Sequence, residues 1–175
     1  MANFDIALKK ILKNEGWYQD NPNDAGNYFN GILLGTNKGI TPSIYFSYYK
    51  VIPTKEKMQS LTDEEAGRIY KDFYWDRILG DKILSQSVAE IIFDHAVNCG
   101  VKSAVKGVQI IVETNVDGIM GNITLNALNN YNPQLFFDLY KKWRLFEYQR
   151  ISKIKNNYVF ISGWYNRVNS FEFEG

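Results

Sequence analysis

Outside residues 19–39, the apolar residues in several segments between Phe4 and Ile151 recur at intervals of three and four. An α-helix turns once every 3.6 residues, so this spacing lines one helical face and suits no strand. Phe4, Ala7, Leu8, Ile11 and Leu12 predict an amphipathic helix over residues 3–14, with Gly16 as its stop. Thr41-Pro42 opens a second helix carrying Ile44, Tyr45, Tyr48 and Tyr49, because Thr caps and Pro fits the first turn. Thr62-Asp63-Glu64-Glu65 is a capping box ahead of Ala66, Ile69, Tyr70 and Phe73. Helices are predicted over 86–98, ended by Gly100, over 102–113, and over 122–128 after an Asp117-Gly118 turn. The longest runs over 133–155 and should bury Leu135, Phe136, Leu139, Trp143, Phe146 and Ile151. Residues 158–171 form a last helix or an irregular tail. Between 19 and 39 the chain is rich in Asn, Asp and Gly and reads as an irregular loop with a short hairpin near Tyr28 to Leu34. The expected fold is mostly α, with little or no sheet.

The chain has 175 residues, 45% of them hydrophobic, enough for a real core. Its one cysteine, Cys99, allows no intramolecular disulfide, so packing alone must hold the fold. One histidine and no cluster of Cys, His and carboxylates at ligand spacing argue against a metal site. No cofactor is expected. A net charge of +1 lacks the basic excess of a nucleic-acid binder and gives no strong pull to a membrane surface. Met1 to Leu12 carries Asp5, Lys9 and Lys10 and lacks the apolar core of a secretory signal, and no run approaches the length of a membrane helix. The expectation is a chain made in the cytoplasm, with no membrane anchor and no nucleic-acid partner.

The segment Glu15-Gly16-Trp17-Tyr18-Gln19-Asp20-Asn21-Pro22-Asn23-Asp24-Ala25-Gly26-Asn27 concentrates chemistry. Glycoside cleavage needs one carboxylic acid to protonate the leaving oxygen and a second polar group to manage water or the developing cation. Glu15 ends the first predicted helix, where the helix dipole disfavours its charge, and an apolar neighbour such as Trp17 would act in the same sense. A general acid requires that direction. Glu15 can equally be a solvated carboxylate of the last helical turn. Asp20 and Asp24 are candidate second groups, or ordinary turn residues around Pro22 and Gly26. Thr41 either orients water or simply caps a helix. Of the chain's 12 Tyr, 11 Phe and 4 Trp most sit at core spacing, but Trp17, Tyr18 and Tyr28 flank the carboxylates on a loop and could stack on a sugar ring. His95 and Cys99 share a helix face, but a thiol at a helix end is poorly placed as a nucleophile, so core packing is the favoured reading.

Glu-Gly-x-Tyr, an Asn/Asp-rich loop, then Lys38-Gly39-Ile40-Thr41 resembles the signature of glycoside hydrolase family 108, phage and bacterial N-acetylmuramidases, some described as secretion activators. Phe93-Asp94-His95-Ala96-Val97-Asn98-Cys99-Gly100 with Gln109 is similar to a further family segment. Val116-Asp117-Gly118-Ile119-Met120-Gly121, with Thr124, Leu125, Ala127 and Leu128, resembles the peptidoglycan-binding half that follows. Gly163-Trp164-Tyr165-Asn166-Arg167 resembles its closing motif. The resemblance implies a lysozyme-like helical fold, with Glu15 as general acid cleaving between N-acetylmuramic acid and N-acetylglucosamine. By analogy with other phage lysozymes it favours Asp24, nine residues after Glu15, over Asp20. It also implies Asn98 as a substrate contact, glycan strands of peptidoglycan as partner, and a holin or other export system for delivery to the wall. It divides the chain into a catalytic half, 1–92, and a peptidoglycan-binding-like half, 93–175, expected to share one core.

Three departures stand out. Trp17 replaces the second Gly of the family's Glu-Gly-Gly-Tyr, Asp24-Ala25-Gly26-Asn27 stands for Asp-Pro-Gly-Gly, and Gly121-Asn122-Ile123-Thr124 stands for Gly-Pro-x-Thr. The rivals are a lytic transglycosylase, which needs only the acid, and a wall-binding or secretion-accessory module without catalysis. The Asp117-Gly118 and Gly121 motif is read as turn structure between helices in preference to a separate sugar site.

Overall fold

Thr41, Thr54, Thr62 and Ser85 each stand in extended backbone one residue before a helix, and each side-chain oxygen accepts an N–H of that helix's first turn. These bonds satisfy donors that the helix cannot satisfy itself. The computed structural model describes residues 1–155 and 158–174. Its helices are α1 Phe4–Asn14, α2 Pro42–Tyr49, α3 Lys55–Gln59, α4 Asp63–Tyr70, α5 Gln86–Cys99, α6 Val101–Ile111, α7 Asn122–Asn130, α8 Pro133–Lys155 and α9 Tyr158–Asn169. A π-helical turn, Lys71–Trp75, follows α4 directly. The only sheet among the described residues is a hairpin of β1 Tyr28–Phe29 and β2 Ile32–Leu33, paired Tyr28 to Leu33 and Phe29 to Ile32. Asn30 and Gly31 make its turn at φ 49° and 80°, the left-handed pair that a two-residue hairpin requires. The mostly α fold, the capping box at Thr62 and the hairpin are as the spacing predicts.

The chain divides into two compact units, Leu8–Phe73, and Met1–Ala7 together with Tyr74–Gly175. In the first, α2 packs on β1 and on the 3-10 turn Ala25–Asn27, with Phe29 and Phe46 rings 5.1 Å apart. Ile11, Ile40, Met58, Leu61, Ala66, Ile69 and Tyr70 are buried there. In the second, α5, α6 and α8 pack on one another, α9 packs on α8, and Phe4, Trp75 and Phe93 form an aromatic cluster. Gly107 of α6 is bare because a Cβ would run into the Trp143 ring.

Two expectations need correction. Leu135 and Phe146 of α8 are 50% and 63% exposed, not core. The buried stripe is Phe136, Tyr140, Arg144, Tyr148 and Ser152, a strict four-residue repeat that includes a charge. Arg144 pairs with Asp94 at 2.8 Å, both side chains at zero exposure, and Arg167 reaches the other Asp94 oxygen at 2.7 Å. Arg144 also donates to the Ile91 carbonyl and the Tyr148 hydroxyl. The second correction is α3, which the periodicity does not reveal: Lys-Glu-Lys-Met-Gln has one apolar residue, Met58, and that residue is fully buried.

His95 is core, as expected. Tyr140 donates its one proton to the Ala104 carbonyl, so its oxygen accepts from His95 Nδ1 at 2.9 Å, which places the imidazole proton on Nδ1. Burial first, and then the Arg144 charge, hold the His95 pKa well below its ordinary value.

Two tests follow from this packing. Asp94→Ala strands Arg144 in a dry interior and should cost about 3–5 kcal/mol in urea unfolding; a loss under about 1 kcal/mol would refute the role given to the pair. His95 stays neutral when folded and protonates when unfolded below about pH 6.5. Its contribution to stability is therefore complete above that pH and declines by about 1.4 kcal/mol per pH unit below it. Unfolding curves between pH 7 and 5 should show this slope in the wild type and lose it in His95→Gln.

Candidate active site

Glu15 follows α1 immediately, and its N–H still donates to the Ile11 carbonyl at 2.9 Å, so the side chain leaves from the helix's last turn. It lines an open cleft of about 370 Å³ with Leu12, Lys13, Gly16, Trp17, Lys38 and Asp63. The floor beside Glu15 is the tight turn Asn37–Ile40. Asn37 and Ile40 exchange both backbone hydrogen bonds, at 2.8 and 3.2 Å, with Lys38 at φ 51° and Gly39 at φ 72°. Asn37, itself buried, donates from Nδ2 to the Met58 and Gln59 carbonyls, which ties the turn to the end of α3. Tyr70, the last residue of α4, donates its hydroxyl to the Lys38 carbonyl at 2.9 Å. Gly39 has no room for a side chain: Glu15 Oε2 lies 2.7 Å from where its Cβ would stand, and Tyr70 Oη lies closer still.

Lys38 Nζ pairs with Asp63 at 2.8 Å and sits 5.4 Å from the centre of the Trp17 ring. Trp17 is 87% exposed, so it stands in solvent at the cleft and does not cover the acid in the way the sequence suggests. An exposed indole beside a carboxyl offers a flat apolar face to a ligand ring.

The other sequence candidates lie outside the residues lining this cleft. Asp24 caps the 3-10 turn, accepting from Gly26 N–H at 2.9 Å and from Gln19 Nε2 at 3.0 Å. Asp20 pairs with Lys55 at 2.8 Å, and that hydrogen bond draws its pKa below the usual range. Thr41 Oγ1 caps α2, and its methyl approaches Gly26, as Asp24 does. Tyr18 donates to the Leu34 carbonyl, packs so tightly on Gly35 that no Cβ fits there, and has its pKa raised chiefly by burial. Tyr28 donates to the Pro22 carbonyl. Asn98 lies in the last turn of α5 and accepts the Cys99 thiol; burial pushes that thiol's pKa up, away from nucleophile chemistry. The Asp117-Gly118 turn hangs on Gln109, which donates to Asp117 at 2.7 Å and accepts from Gly118 N–H at 2.8 Å.

Sequence reasoning missed Lys38, Asp63 and Tyr70 as neighbours of the acid, and Thr36, whose buried hydroxyl finds no hydrogen-bond partner. Among the described residues no group of three or more His, Cys, Asp or Glu side chains could hold a metal. No helix of the described residues is long and apolar enough to cross a membrane.

The fold is mostly α and lysozyme-like, and an open cleft lies at the end of its first helix. The Glycosyl hydrolase 108 family model matches residues 8–100, more than half the chain, and the model described as "Predicted Peptidoglycan domain" matches 103–169. The chain belongs to glycosyl hydrolase family 108. It is a glycoside hydrolase carrying a peptidoglycan domain, and peptidoglycan is its partner. The structure of Brucella abortus SagA is similar, with a TM-score of 0.73 and 27% identity over 96% of this chain and 94% of that one. No curated protein matches.

Replacing Thr41 by Ala removes the cap of α2 and should lower stability by about 1 kcal/mol in thermal unfolding, with Thr41→Ser restoring most of it. Equal stability of all three proteins would rule the cap out as a contributor.

Proposed function

We propose that this chain hydrolyses the β-1,4 bond between N-acetylmuramic acid and N-acetylglucosamine, with Glu15 as the general acid. The observation that carries the reading is Glu15's position: a carboxyl at the end of α1, lining an open cleft whose exposed Trp17 can stack on a sugar. Glu15 protonates the glycosidic oxygen as the bond to the anomeric carbon lengthens. Asp24, with Asp20 in reserve, supports the oxocarbenium-like state or the attacking water, and Thr41 orients that water. Trp17, Tyr18 and Tyr28 contact the glycan. In the same reading 1–92 is the catalytic half and 93–175 holds the wall, which the boundary of the two family matches near residue 100 supports in outline.

A second reading has its own support. Both oxygens of Asp24 accept hydrogen bonds within its own loop, and a lytic transglycosylase needs only one acid/base because the muramic acid hydroxyl attacks. Mass spectrometry of fragments released from purified peptidoglycan separates the two. Reducing N-acetylmuramic acid ends, lost in Glu15→Gln by at least about 100-fold in rate, are expected. Anhydro ends would establish the transglycosylase, and no fragments from the wild type would overturn both.

A further inference from the structure

The turn that floors the cleft is conformationally costly. Lys38 holds φ 51°, a left-handed backbone that costs a residue with a Cβ about 1–2 kcal/mol. Asn or Gly would take that position more readily, so other bonds must hold the turn. Asn37 fastens one side of it to the end of α3. The other fastening is Tyr70, whose hydroxyl donates to the Lys38 carbonyl from a side chain only 1% exposed. The backbone that Tyr70 grips is the peptide leading into Gly39, and Gly39 is where the Glu15 carboxyl rests.

We propose that Tyr70 is the positioning residue for Glu15: its hydroxyl locks the Lys38-Gly39 turn and, with the bare Gly39 Cα, forms the seat that fixes the acid's carboxyl in the cleft. This inference rests on the functional reading above. The chemistry of the phenol suits the task. Its hydroxyl donates to the Lys38 carbonyl from a ring held in the core, so the bond fixes the turn from a rigid side chain. Glycine is required at 39 on two counts, the positive φ and the space shared by the two oxygens. Lys38 connects the seat to the rest of the cleft, because the same residue whose carbonyl Tyr70 holds sends its ammonium to Asp63 beside Trp17.

Tyr70→Phe removes the hydroxyl and keeps the ring, so it tests the seat without emptying the core. With purified peptidoglycan and a soluble glycan fragment as substrates, kcat should fall about tenfold to a hundredfold, as expected when a catalytic group loses its position. KM, and the Kd for the fragment measured with Glu15→Gln and with the Tyr70→Phe, Glu15→Gln double variant, should stay within about twofold. Circular dichroism at the assay temperature should report a folded protein. Gly39→Ala, which intrudes on the same seat from the other side, should lose kcat in the same way. Tyr70→Phe with wild-type kcat overturns the proposal. So does a parallel change in KM and Kd, which would mean a general loosening of the cleft. If Tyr70→Phe does not fold, Gly39→Ala decides, and unchanged kcat there is equally fatal. A wild type that releases no fragments removes the functional reading and this inference with it, a result distinct from an active wild type matched by an active Tyr70→Phe.

Discussion

Asp94 carries a charge where no water reaches it, and the larger unit is arranged around that fact. A buried carboxylate is tolerated only when its oxygens are fully engaged. Arg144 of α8 takes one oxygen and Arg167 of α9 takes the other, while Arg144 also caps a carbonyl of α5 and meets Tyr148. α5 is thereby joined to α8 and α9, which follow it more than thirty residues later. The chain has no disulfide and holds no cluster for a metal among its described residues, so this charged joint and the aromatic packing around it carry the specificity of the fold. The motif around Asp94 and the closing Gly-Trp-x-Asn-Arg motif are the two ends of the same contact.

The cleft is built on a different principle. Its loop is polar and Gly-rich, and its order comes from paired backbone groups and side chains: Asn37 on two carbonyls, Asp24 on Gly26, Tyr18 against Gly35, Lys38 on Asp63. Each of these bonds removes freedom from the loop, and those of Asn37 and Lys38 order the turn beside the Glu15 carboxyl.

The helices were legible because their apolar periods are long and their caps conventional; the Thr62 box and the Thr41-Pro42 start match the structure bond for bond. The errors have physical causes. Hydrophobicity points to Leu135 and Phe146, but the buried face of α8 is chosen by Arg144, which no apolar pattern would place inside. α3 is too short and too charged to show a period. Around the site, Glu15 was legible from a helix that stops at a glycine and from the motif it opens. Tyr70 read as one more apolar residue on the face of α4, since a sequence records the ring and not the partner of its hydroxyl. Lys38 gave no sign that its backbone would be left-handed, because that conformation is imposed by the turn's partners and not preferred by lysine.

The chain has four tryptophans, and they differ sharply in surroundings: Trp75 is fully buried, Trp143 and Trp164 are partly covered, and Trp17 stands in water beside the acid. The residue that departs from the family's glycine therefore doubles as an optical label that the protein carries of its own accord. A water-exposed indole emits at longer wavelength than a buried one, so Trp17 should dominate the red edge of the protein's emission and be the first quenched by iodide. A ligand that settles against that indole would announce itself in the unmodified protein by a shift of one ring's colour as water leaves it.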